Sequence, residues 1–278
     1  MEPVLDPTWQ SPYVPSSAER AAHQGAVRHF ALRRKLPLTV VVALVALALM
    51  LGVVVVPWLP VVGLLVAALG AWDLYRYLAR YERQSQHLGA TMLEVFTLGG
   101  TSTDRQRLMI VLDRLAATFG VDGVSPFIVD DGCYNAALVP NGDSYSLFVT
   151  SALMRDLPLI ELEGVVAHCL ARQRLGLLAR ESAACTINVG LDSRRDLAGV
   201  GQAYRADEVA AAAIRYPLGL AGALRKCANQ HVAPDSFFAT PAYEQWRWVW
   251  FDIWAGREGD TFDDLDDVTI RARALEEW

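Results

Sequence analysis

His168 and Arg172 stand four residues apart in the run Leu159-Ile160-Glu161-Leu162-Glu163-Gly164-Val165-Val166-Ala167-His168-Cys169-Leu170-Ala171-Arg172. Read as a helix, this stretch turns Leu162, Val165, Val166, Cys169 and Leu170 toward a core and puts His168 and Arg172 on one face. Two imidazoles at that spacing, with a Glu between them, make a zinc hydrolase site: the imidazoles hold the metal and the Glu activates water. Here the pattern reads His168-Cys169-Leu170-Ala171-Arg172, so one ligand remains beside a thiol and a guanidinium. Catalytic zinc needs three protein ligands, and the Arg172 charge opposes a cation. Cys169 points about 100° away from His168 around the helix. It lies on the apolar stripe, where a buried thiol has a raised pKa and is inert. His231 and Asp207 carry no spacing argument as ligands. The expectation is no catalytic residue and no cofactor, with zinc on His168 only if the site works after all. Arg172 is expected to pair with Glu163 or Asp207.

Four segments in order carry a resemblance: Asn135-Ala136, then Val149-Thr150-Ser151-Ala152-Leu153-Met154, then Glu161 to Arg172, then Arg205-Ala206-Asp207. Over roughly residues 90 to 230 the chain resembles the HtpX-like membrane metallopeptidases, relatives of the CaaX prenyl endopeptidases. The resemblance implies a zincin-like domain whose third zinc ligand, a Glu, falls at Ala203, with Asp207 supporting the site through hydrogen bonds. It also implies a sheet edge near Asn135, Ala136, Thr150 and Ser151 on which an extended peptide can pair. The tail from Asp267 to Trp278 is similar to the family's closing helix, with Arg271 and Leu275 suitably placed, although the family's preceding His-Pro is absent. Larger relatives have further membrane spans after the central helix. Here Ala179 to Gly201 contains Arg180, Glu181, Asp192, Arg194, Arg195 and Asp196, too polar to cross a bilayer. With two of three ligands and the general base missing, the chain is identified as a degenerate member, a pseudopeptidase.

These residues need elements to hold them, and the first of those belong to a membrane. From Leu36 to Trp72 the only polar side chain is Thr39. A span takes about 20 apolar residues, so the run holds two helices, turned at Pro57 and Pro60. The prolines disfavour one long tilted helix, and the 35 preceding residues disfavour a signal peptide. Arg28, Arg33, Arg34 and Lys35 flank the first span; Arg76, Arg80 and Arg83 follow the second. Both flanks are basic, which places both termini in the cytoplasm and the protein in the inner membrane as a multi-pass protein. The arginines of the 16–35 helix are an alternative contact for anionic headgroups. The expected organisation is a Pro-rich arm and basic helix over 1–35, a transmembrane hairpin over 36–79, and a cytoplasmic peptidase-like domain over 80–278.

Apolar residues make up 53% of the chain and its net charge is −6. Asp260, Asp263, Asp264, Asp266 and Asp267 gather the acid near the end, and no basic patch outside the membrane flanks suits nucleic acid. Cys133, Cys169, Cys185 and Cys227 form no C-x-x-C pair, which fits reduced thiols. A capping box at Ser16-x-x-Glu19 opens a helix to Lys35, and residues 81–100 read as a link to the domain. Residues 104–119 form an amphipathic helix ended by Gly120, with Leu108, Val111, Leu112, Leu115 and Phe119 on one stripe. Strands are predicted at 126–130, 134–139 and 145–150, the last two joined by Asn141-Gly142. Residues 206–214 and 218–228 read as helices. In Trp246 to Trp254 the helical stripe is Trp246, Val249, Trp250, Ile253 and Trp254; Trp248 and Phe251 lie off it and are candidates for a partner or membrane surface.

The fold class read from these features is α+β: a minimal zincin-like metallopeptidase domain, helices with a small sheet, behind an N-terminal two-helix transmembrane hairpin. The expected role is a catalytically inactive scaffold, regulator or accessory subunit of a membrane complex, partnered by the bilayer and another membrane protein. An active metalloendopeptidase with a rearranged site and a lipid-associated accessory protein are the alternatives.

Overall fold

The computed structural model describes residues 13–51, 58–256 and 265–278. The arm through residue 12, Pro57, Asp260, Asp263 and Asp264 lie outside the described residues. The architecture is mixed α+β, mostly helical, with one small sheet.

Helix α1 (Ser17–Leu51) carries the basic segment and the first apolar run without a break at Pro37. The Ser16 hydroxyl accepts from the Glu19 amide at its start. Helix α2 (Leu59–Gln86) begins with Pro60 in its first turn, where a missing N–H costs nothing. Both helices are long and apolar enough to cross a membrane, and only 6% of each apolar window is buried. A core helix of a water-soluble domain would be mostly buried, so their apolar faces, with Leu36, Leu44, Leu64 and Leu69 exposed, need an apolar surrounding. The two helices pack closely. A Cβ on Gly63 would meet the Ala46 carbonyl oxygen at 2.8 Å, and one on Gly70 would meet Val42 Cγ1 at 2.7 Å. Small residues permit that approach. The link at 81–100 is largely helical: α2 runs on to Gln86, and α3 (Leu88–Val95) buries Leu88 and Met92.

Helix α4 (Ser102–Phe119) opens with a reciprocal capping box between Thr101 and Asp104 and ends at Gly120, whose φ of 64° satisfies the left-handed cap. Strands β1 (Val124–Val129), β2 (Ala136–Asn141) and β3 (Ser144–Thr150) form a sheet in the order β1-β3-β2, with β3 parallel to β1 and antiparallel to β2. Alternation along the strands divides the core. Ala136, Leu138, Leu147 and Val149 face one cluster, while Ala137, Val139 and Phe148 face another.

Helix α5 (Ser151–Asp156) leads to α6 (Leu159–Leu175), the chemically suggestive stretch. It is followed by α7 (Leu178–Thr186), α8 (Leu191–Ala198), α9 (Gln202–Ile214) and α10 (Pro217–Ala228). Gly164 on α6 admits α10, since a Cβ there would meet Leu220 Cα at 2.8 Å. Helix α11 (Pro241–Trp246) precedes α12 (Val268–Glu276), which Asp267 caps through the Thr269 and Ile270 amides.

The helix expected over Trp246–Trp254 does not form. After α11 the chain makes a 3-10 turn over Arg247–Val249 and then extends, so that Trp250 bridges Ala137 beside β2. Trp248 is 5% exposed and Phe251 is fully buried. Both therefore belong to the core and present no interaction surface. Long-range bonds from Arg172, Asn135 and Ala136 to the backbone of residues 248–252 take the place of helical ones.

Candidate functional site

Helix α6 is buried along most of its length, and α9, α12 and the irregular segment 248–252 close around its polar face. His168 Nδ1 lies 2.6 Å from Asp207 Oδ1. The carboxylate accepts, which places the ring proton on Nδ1 and a lone pair on Nε2. Arg271 donates from Nε to Asp207 Oδ2 at 2.6 Å and from Nη2 to Oδ1 at 3.0 Å. Its Nη1 reaches the Phe251 carbonyl at 2.7 Å. His168 Nε2 is buried and has no hydrogen-bond partner among the described residues. The Phe251 ring stands edge-on to the imidazole at 5.0 Å.

Burial pushes the His168 imidazole down to about 4, against the pull of Asp207. Burial would lift Asp207, but the Arg271 charge and the His168 bond more than offset it and leave the carboxyl below its usual value. The site thus holds a neutral imidazole and a buried carboxylate–guanidinium pair.

One turn along α6, Arg172 is 2% exposed. Its Nη2 donates to Glu181 Oε2 at 2.6 Å and its Nε to both carboxylate oxygens at 3.1 Å. Nη1 donates to the Val249 carbonyl at 2.6 Å and Nη2 to that of Trp248 at 3.0 Å. Burial raises the Glu181 carboxyl, with Arg172 opposing. The expected partners of Arg172 are corrected here. Glu163 lies nine residues back, about 180° around the helix, and pairs with Arg114. Asp207 is taken by His168 and Arg271. Glu181, supplied by α7, was not legible as a partner.

Ala203 lies at the start of α9, where its amide donates to Asp266 Oδ1 at 2.9 Å. With Arg172, Glu181 and Trp248 it lines a cavity of about 20 Å³, room for one water and for no substrate. A zinc ion does not fit these side chains. His168 Nε2 is a suitable donor, but Arg172 one turn away offers a guanidinium, and Asp207 is engaged twice. Among the described residues no three His, Cys, Asp or Glu side chains gather as a ligand set. Cys169 offers no alternative chemistry, because full burial pushes its thiol up to about 12.

The expected peptide edge is already filled. Phe251 N donates to the Ala136 carbonyl at 2.7 Å. Asn135 grips Asp252 twice: Nδ2 donates to its carbonyl at 2.9 Å, and Oδ1 accepts from its amide at 3.0 Å. The Tyr243 hydroxyl adds 2.7 Å to the same carbonyl. Asn135, Ala136 and Thr150 are fully buried, and Thr150 Oγ1 bonds back to Asn135. Ser151 bonds Asp130 and the Asp131 carbonyl. Asn135 and Ala136 hold the chain's own residues 251–252, and Thr150 braces Asn135, so the open edge expected there is corrected to a closed one; Ser151 takes no part in it. Asp252, whose carboxyl burial lifts to about 6, was missed by sequence reasoning.

No family model, curated protein or solved structure matches this chain.

Proposed function

We propose that this protein is a membrane-anchored, non-hydrolytic relative of the HtpX-like metallopeptidases, serving as a scaffold or accessory subunit of a membrane complex. One observation carries the reading. The Arg172 guanidinium stands one turn from His168 with its donors committed to Glu181 and to two carbonyls of segment 248–249. A guanidinium there has no lone pair for a metal ion, and the segment it holds excludes a peptide from the β2 edge. Two exposed apolar helices supply the anchor, and basic flanks on both put the domain and both termini on the cytoplasmic side of the inner membrane. The active-endopeptidase alternative rests on the lone pair of His168 Nε2, which lacks a partner.

Zinc per chain in detergent-purified full-length protein, measured by elemental analysis beside His168→Ala, tests the proposal. Near-zero zinc in both is expected. About one zinc per chain, lost in the variant, would overturn it.

A further inference from the structure

On α2, Leu65, Leu69, Trp72, Arg76, Arg80 and Arg83 recur every three or four residues and so share one helix face. All six are exposed. The face changes abruptly from apolar to cationic between Trp72 and Arg76, the level at which a helix leaves hydrocarbon for headgroups. Arg76 to Arg83 spans about 10 Å along the axis. Beside this face lies a cavity of about 900 Å³, also lined by Lys35 and Asp73.

The charges around that cavity do not cancel. Lys35 Nζ, reaching across from α1, lies 2.9 Å from Asp73 Oδ2 and 4.6 Å from the Tyr77 ring centre. Asp73 is thereby neutralised within the protein. Arg76, Arg80 and Arg83 form no ion pair or hydrogen bond among the described residues, and Glu82 points about 120° away from their stripe. Three guanidiniums thus stand unneutralised beneath an exposed indole and apolar face. Guanidinium is the side chain best matched to phosphate oxygens, which it takes as a planar fork, and Trp72 suits the acyl–headgroup boundary.

We infer that Arg76, Arg80 and Arg83, with Trp72 above them, form a binding site for the phosphate headgroup of an anionic glycerophospholipid. The inference rests on the membrane anchor proposed above. Headgroup phosphate is shared by the lipid and by free phosphate, and the apolar half of the face favours the lipid.

The test uses full-length protein in micelles doped with equal amounts of phosphatidylglycerol and phosphatidylcholine of matched chains, with retained lipid counted by native mass spectrometry. Preferential retention of phosphatidylglycerol is expected. Each Arg→Gln change should weaken it about fivefold, and the triple Arg76→Gln, Arg80→Gln, Arg83→Gln about a hundredfold, at about 1 kcal/mol per basic residue. The triple Arg→Lys variant keeps the charge without the planar fork and should fall between the parent and the triple Gln variant, which separates headgroup binding from misfolding. Inorganic phosphate at millimolar excess should not displace the lipid; displacement would make this a free-phosphate site and overturn the inference. Equal retention of both lipids, or unchanged preference in the triple Gln variant, would overturn it as well. Carbonate extraction of native membranes reports the anchor separately: protein released by carbonate sinks the membrane reading, whereas protein that stays bound without lipid preference sinks only this site.

Discussion

Arg172→Met is the perturbation that asks most of the site. The side chain makes a forked ion pair with Glu181 and donates to the carbonyls of Trp248 and Val249, all out of solvent. Removing one partner of a buried pair leaves an uncompensated charge and costs about 3–5 kcal/mol. Stripping the donors from two buried carbonyls adds about 1–3 kcal/mol each, less where the segment relaxes toward water. Even the low end reaches about 5 kcal/mol, comparable with the whole stability of an ordinary domain. Arg172→Met should therefore leave the domain unfolded or barely folded.

The double variant Arg172→Met, Glu181→Met separates the two contributions. It removes the orphaned carboxylate but still leaves the carbonyls without donors. It should regain about 3 kcal/mol over the single variant and stay about 2 kcal/mol or more below the parent. Denaturant unfolding in detergent, followed by tryptophan fluorescence, reads both, because Trp248, Trp250 and Trp254 lie on the segment that Arg172 holds. A loss under about 1 kcal/mol in Arg172→Met would refute the reasoning, as would a double variant no more stable than the single one.

Asp252 and His168 should shape the pH dependence in opposite directions. Asp252 is lifted to about 6, so its ionisation costs native stability as pH rises through 6. Asp252→Asn should gain about 3 kcal/mol at pH 7.5, reduced by loss of the long Gln230 contact, and nothing at pH 4. His168 is held near 4, so the unfolded chain binds the extra proton below 6.5; Asp252→Asn should lose about 3 kcal/mol between pH 6.5 and 4 on that account, while the parent stays flatter. Unfolding midpoints across pH 4–7.5 check both, and a pH-independent offset between the two proteins would sink this account. Gly164→Ala should lower the unfolding midpoint by overpacking α6 against the Leu220 backbone. Alanine's helix propensity alone would raise it by about 1 kcal/mol, so the sign of the shift decides. Combining Arg172→His, Glu181→Gln and Ala203→Glu should create a site for about one zinc per chain, measured by elemental analysis and abolished by His168→Ala; no zinc would count against α6 and α9 as former metal-bearing helices.

Legibility of the sequence followed the range of the interactions. Helix α4 with its Gly120 cap, the Asn141-Gly142 hairpin and all three strands were readable because periodicity and turn chemistry act within a few residues. The central helix was readable for the same reason, down to His168 facing away from Cys169. Segment 246–254 was not, since its aromatics satisfy a helical stripe and a strand alternation equally well. What decided it was Asn135 gripping Asp252, 117 residues away in sequence. Glu181 was equally hidden: it sits beyond the end of α6, on a helix whose approach no local pattern encodes.

The buried contacts of Arg172 form one linked set. Its guanidinium needs an anion, and α7 provides Glu181. That pair leaves donors that must find carbonyls in a dry interior, and Trp248 and Val249 provide them. Fixing those carbonyls delivers Phe251 to Ala136, and the sheet edge closes. Metal exclusion and edge closure therefore share a cause, so reversing the first should loosen the second. The zinc-rebuilt variant should show faster proteolysis within residues 247–254 than the parent, even when zinc keeps its global stability unchanged. Equal cleavage in the two proteins would mean that Asn135 and Arg271 hold the segment without help from Arg172, and that the edge is closed whatever occupies the site.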